Sequence, residues 1–147
     1  MSFDGLGVDW TFTANSDLSA SQYRFVKLVG TNAGGFGLVD LCVAGDKAIG
    51  VLMDAPTAGL PARVRVYGIA KVVASGALAV PSHIASDASG KAKAAVNNVT
   101  NTSDAGSATD PVLGSNVIGE LLAASTAAGD IVPVLLTHSG AIPTTIS

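Results

Sequence analysis

The sequence predicts a mostly β fold, a single compact domain of sandwich or barrel type with an extended N-terminal arm. Three observations predict it. Short apolar runs follow one another between Gly, Asn, Asp and Pro, leaving no room for crossover helices. Segment 63–67 alternates Arg63, Val64, Arg65, Val66 and Tyr67, which sets the two valines on one face and the arginines on the other. The third observation is a β unit written twice. Residues 49–66, IGVLMDAPTAGLPARVRV, and 118–136, IGELLAASTAAGDIVPVLL, align at an offset of 69 (118 − 49). They share Ile49/Ile118, Gly50/Gly119, Leu52/Leu121, Ala55/Ala124, Thr57/Thr126 and Ala58/Ala127, and after a one-residue insertion Gly59/Gly129 and Val64/Val134. Each copy is an apolar run, a small-residue turn and an alternating run, which is how a hairpin is written.

Residues 1–21 show no sustained period yet hold Phe3, Trp10 and Phe12, three of the chain's seven aromatic side chains. This segment is expected to be an extended arm, mobile when free, whose aromatics dock on its own domain or on a neighbour. The β domain spans 22–140, with strands expected at 23–29, 36–43, 48–53, 62–67 and 69–74. Asp87 to Gly90, DASG, suits a tight turn. Segment 97–116 is poor in apolar residues and rich in turn formers, so it is expected to be a long exposed loop, with Val112 and Leu113 able to order part of it. The closing strands are expected at 117–123 and 131–137. Pro133 cannot donate to a ladder, which predicts an edge strand or a bulge there. Leu and Ala also suit a helix over 117–128. The match to 49–58, where Asp54 and Pro56 oppose helix, favours strand. Residues 141–147 form a C-terminal tail.

At 147 residues the chain can bury a core without metal or disulfide staples. Apolar residues are 48% but aromatics only 5%, and charged residues are 13% against about 25% in an ordinary soluble domain. Mean hydropathy is +0.49. A surface with so few ionic groups implies that part of it is covered by other chains. Net charge is −3, and the eight Lys and Arg are dispersed, which argues against nucleic acid. No long uncharged apolar stretch predicts a membrane span, and MSFDGLGVDW does not read as a secretory signal. Cys42 is alone, which fits synthesis in a reducing cytoplasm.

Catalytic chemistry has few carriers. His83 and His138 are the only imidazoles and no nucleophile signature flanks them. Cys42 lies in an apolar strand, where a thiol is a small hydrophobe. Glu120 is the only Glu, and most Asp sit beside Gly, Ala or Ser in turns. Asp104 and Asp110 lack the spacing of a calcium loop. NAGGFG at 32–37 has neither the Lys-Ser/Thr nor the helix of a phosphate loop, so a hairpin turn explains it. The expectation is a non-enzyme with no cofactor and no metal.

The run IGVLMDAPTAG, the strand ARVRVYG, then IAKVVASGALAV and SDASGKAKAA resembles the head decoration, or cement, proteins of tailed bacteriophages. The matching elements are the Ile-Gly-Val-Leu strand at 49–52, the Pro-x-x-Gly turn at 56–59, the Val-alternating strand ending in Gly at 64–68 and the Ser-Asp-x-x-Gly-Lys turn at 86–91. Val80-Pro81-Ser82 departs from the Gly-Asp common at that place. The resemblance covers about half of the chain. It implies a structural virion protein on the outer capsid surface, partnered by the major capsid protein and by its own copies as a homotrimer, without catalysis. Phe3, Trp10 and Phe12 are then the expected capsid contacts. The alternative is a small binding or adhesin module of a tail fibre, against which the scarcity of aromatic sugar platforms stands.

Overall fold

The computed structural model describes residues 7–95 and 116–141, which contain strands and no helix. In chain order these are β1 (Gly7–Ala14), β2 (Phe25–Thr31), β3 (Gly37–Leu41), β4 (Gly50–Leu52), β5 (Pro61–Val73), β6 (His83–Ser86), β7 (Ala92–Ala94), β8 (Asn116–Leu121) and β9 (Ile131–Ala141). The hydrogen-bonded order is β1-β3-β2-β4-β5-β9-β8-β6-β7, and β1 also pairs antiparallel with β5. That second pairing closes β1-β3-β2-β4-β5 into a five-stranded barrel and removes its edges. Strand β5 is 13 residues long: its first half belongs to the barrel, and from Gly68 onward it pairs with β9. A second unit, β5-β9-β8-β6-β7, starts there, and its two ends meet at a parallel bridge between Ala74 and Ala92.

The second unit repeats the first strand by strand. In the barrel Val51 pairs with Arg65 and Leu52 with Val64; at the repeated positions Glu120 pairs with Leu135 and Leu121 with Val134. Phe25 with Val51 recurs as His83 with Glu120, and Val26 with Gly50 as Ile84 with Gly119. Leu28, Lys27 and Val26 against Val39, Asp40 and Leu41 recur as Ser86, Ala85 and Ile84 against Ala92, Lys93 and Ala94. Strand β1 on β5 recurs as the second half of β5 on β9, with Thr13–Pro61 and Phe12–Ala62 matched by Val73–Ile131 and Val72–Val132. The turns agree too: Ala14 N–H donates to Leu60 and Gly59 N–H to Ala14, as Ala74 N–H donates to Asp130 and Gly129 N–H to Ala74. Gly59 and Gly129 hold φ of +83° and +92°, where a Cβ would be strained. The molecule is two interlocked copies of one unit, the last strand of the first running on as the first strand of the second.

Each unit has its own core, and the two cores are built from matching positions. Ala14, Leu18, Val26, Val39, Leu52, Ala62 and Val64 fill the barrel. Their counterparts Ala74, Leu78, Ile84, Ala92, Leu121, Val132 and Val134 lie in the other cluster. Side chains alternate across a strand, so Val26 and Leu52 point into the barrel while their neighbours Phe25 and Val51 point out of it. Those outward residues join Cys42, Ala48 and Met53 in the second core, so the outer wall of the barrel is the floor on which the second unit sits. A fully buried Val, Leu or Phe stabilises the fold by about 1.5 to 3 kcal/mol, and this wall supplies several.

From Gly7 to Ala14 the N-terminal segment is extended and docks on its own domain as β1, held by the full length of its pairing with β5. Asn15 and Ser16 tie it further by donating to the Asp40 carboxylate. The mobility expected of the free arm therefore does not extend to residues 7–14. The strands expected at 62–67 and 69–74 are one strand, continuous through Gly68. Segment 117–128 is not helical: β8 ends at Leu121 and a turn follows.

Pro133 corrects the expectation of an edge or bulge. It lies in register with Lys71, and β9 has β5 on one side and β8 on the other. Its carbonyl accepts from Leu122 N–H, one residue beyond the end of β8, so the nitrogen that lacks a proton faces the spent end of that ladder. At the matching place in the first unit Arg63 N–H is capped by the Asp54 carboxylate. In the second unit Pro133 removes the donor and Ala123 stands where Asp54 would have accepted it. The register shift of β9 against β8 falls between Gly140 and Leu136, beside His138 with its φ of 50°. The long loop expected at 97–116 lies outside the described residues except for Asn116, which opens β8, and of the tail only Ala141 is described.

Candidate functional site

Of the three aromatic contacts expected from the sequence, Phe3 lies outside the described residues, and Trp10 and Phe12 both stand on β1. Trp10 pairs with Val64 and Phe12 with Ala62, and cross-strand partners share a face. Val64 and Ala62 point into the barrel, so Trp10 and Phe12 are on the inward face too. Phe12 packs partly buried against the barrel core, whereas Trp10 is 64% exposed. An inward-facing side chain that stays in water sits at the rim of the barrel.

The rim has further members. A Cβ placed on Gly37 would lie 2.9 Å from Phe12 Cδ1 and 3.1 Å from Leu28 Cδ2, so Phe12 and Leu28 close over that glycine. Leu28 is 48% exposed. Ile49 and Val66 pack partly buried against the same core, and Val8 and Phe36 are exposed nearby along β1 and in the β2–β3 turn. Together these make an apolar, aromatic-bearing mouth on a protein otherwise poor in aromatics. The sequence signals Trp10 and Phe12 by their concentration; Leu28 and Phe36 carry no such signal, because only barrel closure brings β2 and β3 beside β1.

Beside the rim, on the outward face of β1 and β5, the charge is concentrated. Arg65 Nε donates to Asp9 Oδ1 at 2.7 Å and Nη2 to Oδ2 at 3.3 Å, while Nη1 donates to the Ile69 carbonyl at 3.0 Å. The Arg65 side chain is 7% exposed, so this bidentate pair satisfies a buried guanidinium. Arg63 adds a second contact to Asp9 at 3.5 Å. Arg63, Arg65, Asp9, Gln22, Tyr23 and Lys71 line an open cleft of about 700 Å³.

The thiol and the two imidazoles stand in separate surroundings. Burial pushes the Cys42 thiol up to about 12, reinforced by the nearby Asp46 charge. His83 Nδ1 stands 3.7 Å from Glu120 Oε1 on an exposed face. His138 bonds the Val66 carbonyl through Nε2, and its ring meets Tyr67 edge-on with centroids 5.4 Å apart. Asp87 accepts from Ser89 and Lys91 N–H, which makes SDASGK the tight turn expected.

No protein-family model and no curated protein matches the sequence. Among solved structures the fold is similar to the N base of the head fibre protein gp8.5 of bacteriophage phi29, with a TM-score of 0.63 at 15% sequence identity over 93% of this chain and 98% of that one. The fold of this chain, taken nearly end to end, is thus similar to that of the phage head-fibre N base.

Proposed function

We propose that this chain is a structural protein of a bacteriophage head that binds the outer face of the assembled shell. The supporting observation is that a fold similar to a head-fibre base over almost its whole length carries an exposed aromatic rim and has few charges to keep it apart from other chains. The resemblance of segments 49–68 and 86–91 to decoration proteins points the same way. On this reading many copies clamp neighbouring subunits of the major capsid protein. A ligand that binds only the assembled state stabilises it by mass action, and symmetry multiplies a modest contact over every equivalent site.

The test is to add purified protein to shells that lack it, pellet the particles and then heat them. The proposal expects co-sedimentation in a fixed ratio to coat protein and a higher temperature of DNA release. Protein left in the supernatant, or particles that lose DNA at an unchanged temperature, overturns the clamp. A second reading, in which the domain is the foot of a fibre, is favoured by the base-of-fibre neighbour. It expects co-sedimentation without a change in release temperature.

A further inference from the structure

We propose that the rim of the first barrel is an interface between copies of this chain, and that its mate is the outer wall of the second unit of a neighbouring copy. The template lies inside the molecule. The rim of the second unit, formed by the counterparts Ala70, Val72, Ser86, Gly90, Ile118 and Leu136, is buried on the outer wall of the first barrel. Phe25 N–H donates to the Gly90 carbonyl at 2.7 Å, and Arg24 Nη1 to the Ser89 carbonyl at 3.3 Å. A Cβ on Gly90 would come within 2.6 Å of Leu41 Cδ1. Rim on wall is therefore an arrangement this unit is shaped to make.

Among the described residues one rim and one wall remain uncovered. The unused rim bears Trp10 where the buried one has Ala70, and Leu28 where the buried one has Ser86. The unused wall bears the exposed pair His83 and Glu120 where the buried one has Phe25 and Val51, and Leu122 where the buried one has Met53. Val80 and Leu122 on this wall are 51% and 44% exposed. The exposed apolar residues Trp10 and Leu28 stand at the rim, with Phe36 in the turn beside it, and Val80 and Leu122 stand at the wall that the duplication identifies as its mate. The open rim is aromatic and carries an indole N–H to donate, and the open wall is more polar than its buried counterpart, with an imidazole and a carboxylate. That is the composition of an interface whose halves must also be stable in water. A rim-to-wall contact is heterologous, so it builds a closed ring or an open chain of copies. The contact takes the same rim that supports the capsid reading, and the solution mass of the free chain tests it without a capsid.

The experiment is the mass in solution of the full chain, measured by size-exclusion chromatography with light scattering. Trp10→Glu disables the rim and Leu122→Asp the wall; both side chains are exposed, and an unchanged melting temperature checks that each variant folds. Leu28→Glu and Val80→Asp are the replacement pair if either fails. The expected result is an oligomer for the unaltered chain, a monomer for each variant alone, and a dimer when the two variants are mixed, because one intact rim then meets one intact wall. A monomeric unaltered chain at every concentration, a Leu122→Asp variant that still assembles, or a mixture that stays monomeric overturns the proposal.

Discussion

Gly50 lies directly beneath the carbonyl of Arg65: a Cβ at Gly50 would sit 2.2 Å from that oxygen, and Gly119 stands 2.1 Å in the same sense from the carbonyl of its counterpart Leu135. Both contacts are with backbone, which cannot turn aside without breaking a ladder. Gly50→Ala and Gly119→Ala are each expected to destabilise the fold by about 3 kcal/mol, the upper range for overpacking. Gly76→Ala, with open space around it, is the control and should change stability by less than about 1 kcal/mol. Urea denaturation followed by circular dichroism distinguishes them.

The Asp9–Arg65 pair supports a second test. Asp9→Ala leaves the Arg65 charge buried and unpaired, at an expected cost of about 2 to 3 kcal/mol, somewhat below the range for fully buried pairs because Asp9 is 23% exposed. The second unit holds Ile69 and Leu135 in register at the matching positions. The double variant Asp9→Ile/Arg65→Leu is therefore expected to recover most of the loss, since apolar residues of similar volume replace a buried pair with little penalty. Recovery smaller than half of the Asp9→Ala loss would show that the bond from Arg65 to the Ile69 carbonyl matters more than the ion pair.

Cys42 should be inert in the folded protein. With its thiol raised to about 12 by burial, only about one molecule in ten thousand carries the thiolate at pH 8. Iodoacetamide at pH 8 is expected to label it only after denaturation. Rapid labelling of native protein, read by mass spectrometry, would mean that β3 and the wall open locally.

Acid should weaken the β2–β3 region. Lys27 Nζ holds the Asp46 carboxylate at 2.6 Å and Val43 N–H adds a second bond, so the Asp46 carboxyl is held below its ordinary 3.8. A depressed carboxyl contributes stability that is present above the unfolded value and is lost as pH falls through the folded one. Lys27 is raised by the same bond, so its contribution is lost only as pH rises past 10.5. Stability is expected to be level between these limits and to fall below about pH 4. Asp46→Asn should flatten that acid limb in a series of melting curves, and an unchanged limb would assign it to other carboxylates.

The strand character and the hairpins at 49–66 and 118–136 were legible because period two and turn residues are local signals. Trp10 and Phe12 stood out for the same reason, as rare side chains gathered in one segment. The rest of the repeat was hidden. Phe12 and Val72, Val39 and Ala92, or Leu28 and Ser86 share a place in the fold but not a residue type, and the loops between them differ in length. Strands β6 and β7 were missed because HIAS and AKA are short and Ala-rich; β7 gains its pairing from β6, and Ala92 from the end of β5.

By itself the sequence determined the fold class, the turns and the one hairpin that is written twice, since hydrophobic alternation and glycine placement act within a few residues of the chain. Tertiary structure decided that β1 closes a barrel, that β5 serves two units, and that one rim is buried while its twin stays open. Those outcomes depend on which faces meet across distant segments: Phe25 and Val51 form a floor only when both have been turned outward by the barrel they belong to. Burial is a property of the assembled surface, and Ala70 and Trp10, equal in position, differ because among the described residues only Ala70 has a wall beneath it.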